Sequence, residues 1–168
     1  MIFGRKKQND KGSSDQEQEY NTAPGTGIRF DPELVDRLKD DHRALFGLYR
    51  DMKSAFEATD YGTVTDTLRK FRGALQEHLL TENVRLYIYL SHSFKHDDTN
   101  FELIRGFRKE MDGIAKTAIK FLDKYDAIGV DSELAASFGR DLAEIGEVLG
   151  TRIQKEESIL YPLYTEQY

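Results

Sequence analysis

Apolar residues recur three and four positions apart through four stretches of the chain, with polar residues filling the intervals. The first reads Val35, Leu38, His42, Leu45, Tyr49, Met52, Phe56, and the second Val64, Leu68, Phe71, Leu75, His78, Glu82, Leu86, Tyr89. The third reads Ile104, Phe107, Met111, Ile114, Ala118, Phe121, Tyr125, Ile128, and the fourth Ile145, Leu149, Arg152, Glu156, Ile159, Leu163. This period belongs to amphipathic helices, and no strand-like alternation persists. The punctuation predicts their ends. Asp31-Pro32-Glu33 offers an N-cap, a proline for the first turn and an acid, so helix one should run to about Ala58. Tyr61-Gly62-Thr63 reads as a turn, with Thr63 capping a second helix to about Ser91. His92 to Asn100 reads as a polar loop, and Gly129-Val130-Asp131-Ser132 closes the third helix. Asp131 or Ser132 then caps a fourth that reaches about Tyr164, with Pro162 near its end. The expected fold is all-α: an antiparallel up-down-up-down four-helix bundle over residues 30–168. Residues 1–29, rich in Gly, Ser, Gln, Asn and Asp, read as a disordered tail.

Five polar residues interrupt the buried seams: His42, His78, Glu82, Arg152 and Glu156. An uncompensated buried charge costs several kcal/mol or more, so such carboxylates need a cation or a metal beside them. An antiparallel bundle also lets sequence distance predict height. His42 lies 18 residues before a turn centred near position 60, and His78 lies 18 after it. At about 1.5 Å per residue both stand roughly 27 Å from that turn. Counting through the later turns brings Met111 on the third helix and Arg152 with Glu156 on the fourth to nearby levels. Glu82 follows His78 by one turn, and Glu156 follows Arg152 by one turn, on the same helix faces. All five are expected to converge in mid-bundle. Met111 reads as core packing, and Tyr49, Tyr89 and Tyr125 as amphipathic residues closing the core toward its ends. His92 and His96, beside Lys95, Asp97 and Asp98, read as a solvated pair.

Composition narrows the partners. A formal net charge of -6 argues against nucleic acid, which requires a basic face. With no cysteine, disulfides, thiolate metal sites and cysteine catalysis are excluded, and a cytoplasmic location is the expectation. No apolar run is long enough to span a membrane, and the basic start Met1 to Lys7 lacks a signal-peptide core. No nucleophile constellation, phosphate loop or seam Glu-x-x-His appears, so an enzyme is not expected.

Two imidazoles with one or two carboxylates suit iron, manganese or zinc, and ligand type alone does not choose among them. The block Phe71 to Tyr87, with His78-Leu-Leu-Thr-Glu82 inside it, resembles the His-x-x-x-Glu helices of hemerythrin-like (HHE cation-binding) domains. So does the block Arg152-Ile-Gln-Lys-Glu156 through Tyr161-Pro162, and Leu38 to Phe46 around His42 resembles that family's first ligand helix. The resemblance implies a four-helix bundle with a non-haem di-iron centre. His42 and His78 match the ligands of one iron, and Glu82 and Glu156 the bridging carboxylates. Where histidines for the second iron are expected, the chain has Met111, flanked by Phe107 and Ala115, and Arg152.

The expectation is one non-haem metal, iron preferred with manganese or zinc open, and Arg152 in place of the second cation. The implied role is sensing, storage or redox response. A metal-free alternative stays open, in which Arg152 pairs with both carboxylates and the protein regulates by contact. In that reading Ile145 to Arg152 with Glu156, and Leu75 with Leu86-Tyr87, are similar to the Rsd/AlgQ regulators, four-helix bundles that bind the principal sigma factor.

Overall fold

The computed structural model describes residues 26–167. Four helical rods are built from them. The first is α1 (Leu34–Glu57). The second is α2 (Tyr61–Thr81), which passes through a π-turn at Glu82–Tyr87 into α3 (Ile88–Ser93). The third is α4 (Asp98–Tyr125). The fourth begins with a 3-10 turn at Ser132–Leu134, continues as α5 (Ala135–Lys155), and ends in a π-turn at Glu156–Leu160 and a 3-10 turn at Tyr161–Leu163. The rods pack as the expected four-helix bundle.

Side-chain hydrogen bonds move several of the expected ends. Asp31 does not cap α1 directly; its carboxylate accepts from the Glu33 N–H at 3.0 Å, and its carbonyl from the Leu34 N–H at 3.1 Å. The result is a turn leading into the helix, with Pro32 at the position its fixed φ suits. The α2 cap is Asp60 rather than Thr63: Asp60 accepts the Thr63 N–H at 3.1 Å and its hydroxyl at 2.6 Å. Gly62 therefore lies inside the helix, and the reversal sits earlier, at Thr59, with φ of 59°. There the Asp60 N–H reaches back to the Ala55 carbonyl at 2.9 Å, a left-handed helix ending that glycine more often supplies. Asp97 caps α4 through the Asn100 N–H, which shortens the expected loop after His92. Asp131 caps the start of the fourth rod, as the sequence predicts.

Two apolar clusters fill the interior. One, around Leu45, Phe71, Leu75, Phe121, Phe138 and Leu149, extends toward the α1–α2 turn. The other gathers Leu34, Leu38, Leu86, Ile104, Leu160 and Tyr164 at the opposite end. His42 lies between Leu38 and Leu45, His78 and Glu82 between Leu75 and Leu86, and Arg152 and Glu156 between Leu149 and Leu160. The polar residues thus occupy one layer sandwiched between two apolar ones. Tyr125 and Tyr89 close the ends, donating to Asp141 at 2.5 Å and to the Thr165 carbonyl at 3.2 Å. Tyr49 spans instead to α5, donating to the Leu142 carbonyl at 3.0 Å, where a Cβ on Gly146 would overlap its phenol.

The fourth rod departs from its expected seam. Ile159, read as a core position, is 44% exposed, whereas Leu160 and Tyr161 are buried. The π-turn at Glu156 explains the slip: its wider loop takes in an extra residue, so positions beyond it rotate onto a new face. The expected tail lies outside the described residues over positions 1–25. At its end Ile28 packs against the lower cluster, and Phe30 stacks on Tyr164 with ring centroids 5.0 Å apart. Ordered packing therefore begins before the expected boundary at residue 29.

Candidate metal centre

The convergence read from helix heights is present. One ligand atom each from His42, His78, Glu82 and Glu156 lies within 4.8 Å of the others, and all four side chains are buried. The His42 and His78 Nε2 atoms face each other at 3.2 Å. Glu156 Oε2 is 3.3 Å from His42 Nε2, and Glu82 Oε2 is 3.7 Å from His78 Nε2. Behind each ring a carboxylate fixes the other nitrogen: Glu157 at 2.8 Å from His42 Nδ1, and Asp41 at 3.2 Å from His78 Nδ1. A carboxylate behind an imidazole selects the tautomer with hydrogen on Nδ1 and leaves the Nε2 lone pair for the chamber. Both carboxylates of the chamber stand at the first residue of a π-turn, in Glu82–Tyr87 and Glu156–Leu160. The register change after each glutamate also turns a tyrosine inward, Tyr87 and Tyr161.

Arg152 fills the other side. Its Nε donates to Glu156 Oε1 at 2.5 Å, Nη2 to the Tyr87 hydroxyl at 2.7 Å, and Nη1 to Glu110 at 3.3 Å. The guanidinium also lies over the Phe107 ring, 4.6 Å from its centroid. The expectation that Arg152 would pair with both glutamates is met only for Glu156. Glu82 takes its hydrogen bond from Tyr161 instead, at 2.8 Å, and its Oε2 makes no hydrogen bond, with His78 Nε2 3.7 Å away. Each of the three guanidinium nitrogens of Arg152 donates one hydrogen bond, and none goes to Glu82.

These surroundings split the two acids. Burial, reinforced by the neighbouring charge of Glu156, pushes the Glu82 carboxyl up to about 8. Burial also opposes ionisation of Glu156, but His42 and Arg152 outweigh it and hold that carboxyl below its ordinary range. The His42 imidazolium is disfavoured by burial yet favoured more by Glu156 and Glu157, so its pKa rises. Burial and the charge of His42 lower that of His78.

A family model, the hemerythrin HHE cation binding domain, matches residues 33–164. The chain belongs to the hemerythrin HHE family. Searches of curated proteins and of solved structures returned no match.

For a hemerythrin-like domain the donor set fits a single metal ion. Two lone pairs pointed at each other across 3.2 Å repel unless a proton or metal ion lies between them. Donors that share a tetrahedral ion at about 2.0–2.1 Å stand roughly 3.3 Å apart, close to the separation seen here. The bare Glu82 Oε2 is the further sign of a missing partner, since buried polar atoms are nearly always satisfied. The side of the chamber beyond Glu156 is filled by the Arg152 guanidinium, with Met111 buried nearby. His92 and His96 take no part in the cluster.

Sequence reasoning missed Tyr161, Tyr87, Glu157, Asp41 and Glu110 as members of this hemerythrin-like centre. Asp41 and Glu157 each adjoin a residue already singled out, His42 and Glu156, and that adjacency was the available signal. Tyr161 and Tyr87 carried none in the 3-4 period, because the π-turns bring them in.

Proposed function

We propose that this hemerythrin-family protein binds one non-haem metal ion, iron preferred, through His42, His78, Glu82 and Glu156. Arg152 stands as a permanent cation in place of a second ion. The single observation that carries this reading is the bare, buried Oε2 of Glu82 beside two imidazole nitrogens aimed at one point. Asp41 and Glu157 hold the imidazoles in the ligating tautomer. Arg152 offsets the charge of Glu156, and a bound cation would take the place of the proton that burial favours on Glu82. The apolar layers on both sides exclude bulk water. A bound iron would supply reversible one-electron chemistry and an affinity for small oxygen species.

We propose a sensing, storage or redox-response role for that ion. A metal-free form has one observation in its favour: Tyr161 and Arg152 already satisfy one oxygen of each glutamate. Reconstitution under anaerobic conditions with Fe(II), Mn(II) or Zn(II), followed by desalting and metal analysis, separates the two. One retained ion per chain, with iron held most tightly, is expected. Only trace retention of all three metals sinks the metal reading.

A further inference from the structure

We infer that Tyr161 is itself a ligand of this centre, its phenolate oxygen binding beside the imidazoles of His42 and His78. The inference rests on the metal reading above and assigns a donor that His, Asp and Glu spacing does not reveal. Three atoms lie at almost one distance from His42 Nε2: His78 Nε2 at 3.2 Å, Glu156 Oε2 at 3.3 Å and the Tyr161 oxygen at 3.2 Å. Ligands sharing a first-row ion tetrahedrally stand roughly 3.3 Å apart, so the phenol oxygen meets the same spacing as the recognised donors. Tyr161 is 2% exposed, and its ring lies nearly parallel to His42, centroids 5.7 Å apart and planes at 10°. The tight turn Tyr161–Leu163 fixes the backbone that carries it. This oxygen is therefore held in place rather than free to swing away.

The chamber's other phenol does not compete. The Tyr87 hydroxyl accepts from Arg152 at 2.7 Å and belongs to the filled side. Phenolate is a hard, anionic oxygen donor and suits ferric iron, which tyrosinate also ligates in haem catalases. On binding, the Tyr161 O–H bond breaks as the metal–oxygen bond forms. Metal binding displaces that proton to the buffer, as ligation by a protonated group requires, and Glu82 Oε1, which accepts the Tyr161 hydrogen bond at 2.8 Å, loses its donor. Glu82 is then free to ligate as well. No electron is exchanged in this step.

The test loads metal-free full-length protein with ferric nitrilotriacetate, counts the iron retained, and records the visible and resonance Raman spectra. Wild type is expected to hold one iron and to show a phenolate-to-iron charge-transfer band whose excitation enhances tyrosinate ring modes. Tyr161→Phe should retain iron and lose the band completely, while Tyr87→Phe keeps both. If Tyr161→Phe does not fold, tyrosinate modes that persist in both Tyr87→Phe and Tyr49→Phe support Tyr161, and their loss in either variant overturns the assignment. Iron bound without tyrosinate modes, or a band that survives Tyr161→Phe, overturns the ligand assignment and leaves the metal reading standing. Failure to retain ferric iron overturns the ligand assignment, and the metal reading falls only if Fe(II), Mn(II) and Zn(II) are not retained either.

Discussion

On one side of Glu156 the Arg152 guanidinium bonds Glu156, Tyr87 and Glu110 and lies over Phe107. On the other, His42 and His78 point their Nε2 atoms at each other, and Glu82 leaves an oxygen bare. Both sides solve the same problem of buried carboxylate charge. The arginine side solves it with a cation that cannot be deprotonated and cannot leave, so its charge is constant at any ordinary pH. The histidine side relies on something exchangeable, a proton or a metal ion. A fixed cation makes a structural element, whereas an exchangeable one makes a responsive site.

The sharpest way to break this contrast is Arg152→Ala. Removing one partner of a buried pair strands Glu156 and the Tyr87 hydroxyl, for a loss of about 3–5 kcal/mol in unfolding free energy. Urea denaturation of the metal-stripped protein measures it. Arg152→Lys should recover only part, because an ammonium lacks the planar fork that serves three acceptors. A loss no larger than that of a surface pair would mean the arginine side is not structural.

The histidine side is expected to respond to Glu82→Gln in two opposite ways. The Glu82 carboxyl, 4.5 when unperturbed, is pushed up to about 8 in the folded protein by burial and Glu156. The native state therefore binds the extra proton, and by linkage its contribution is complete below pH 4.5 and is lost as pH rises through about 8. Glutamine carries no such proton. Metal-stripped Glu82→Gln should lack this decline and be the more stable protein above pH 8, as thermal melts across that range would show. With metal present the order reverses, since loss of a ligand should weaken binding by more than about 10-fold, the lower bound set by outer-sphere changes. A variant indifferent to metal would remove Glu82 from the site.

How much of this contrast the sequence carried follows from what periodicity encodes. A histidine at a core position, as with His42 between Leu38 and Leu45, is legible because the 3-4 spacing marks the buried face without reference to contacts. Height was legible because the connections are short and every helix rises equally per residue. Arg152 was also legible, as a permanent cation where the family resemblance placed a ligand. The π-turns were not. They begin at Glu82 and Glu156, and the 3-4 period leading into each gives no sign of the extra residue. The inward turn of Tyr161 and the exposure of Ile159 follow from that one shift. Helix ends failed for a related reason. Asp60 and Thr63 are both good caps, and the chain gives no local sign that Thr59 adopts the left-handed conformation.

Smaller effects sharpen the responsive side. Asp41→Asn and Glu157→Gln remove the charge behind His78 and His42 while leaving shape intact. Partners behind ligating histidines are worth about 10- to 100-fold in metal affinity, and competition with a chromogenic chelator reads that range. The folding stability of the stripped protein should change little, because Glu157 and Asp41 side chains are 38% and 45% exposed. Equal losses of affinity and stability would mean that these acids hold the helices rather than the rings.

The smallest expected effect belongs to Glu110→Gln, and it tests where the arginine side keeps its balance. Glu110 meets Arg152 at 3.3 Å and Lys155 at 3.4 Å, but its side chain is 47% exposed. Water already screens that carboxylate, so its removal should cost no more than about 1 kcal/mol. Arg152 would keep Glu156 and Tyr87, its two shorter and buried partners. Metal affinity should be unchanged, since Glu110 adjoins only the filled side. A loss in urea midpoint rivalling that of Arg152→Ala would relocate the compensation to the surface. The two sides would then differ in solvent access rather than in whether their cation can leave.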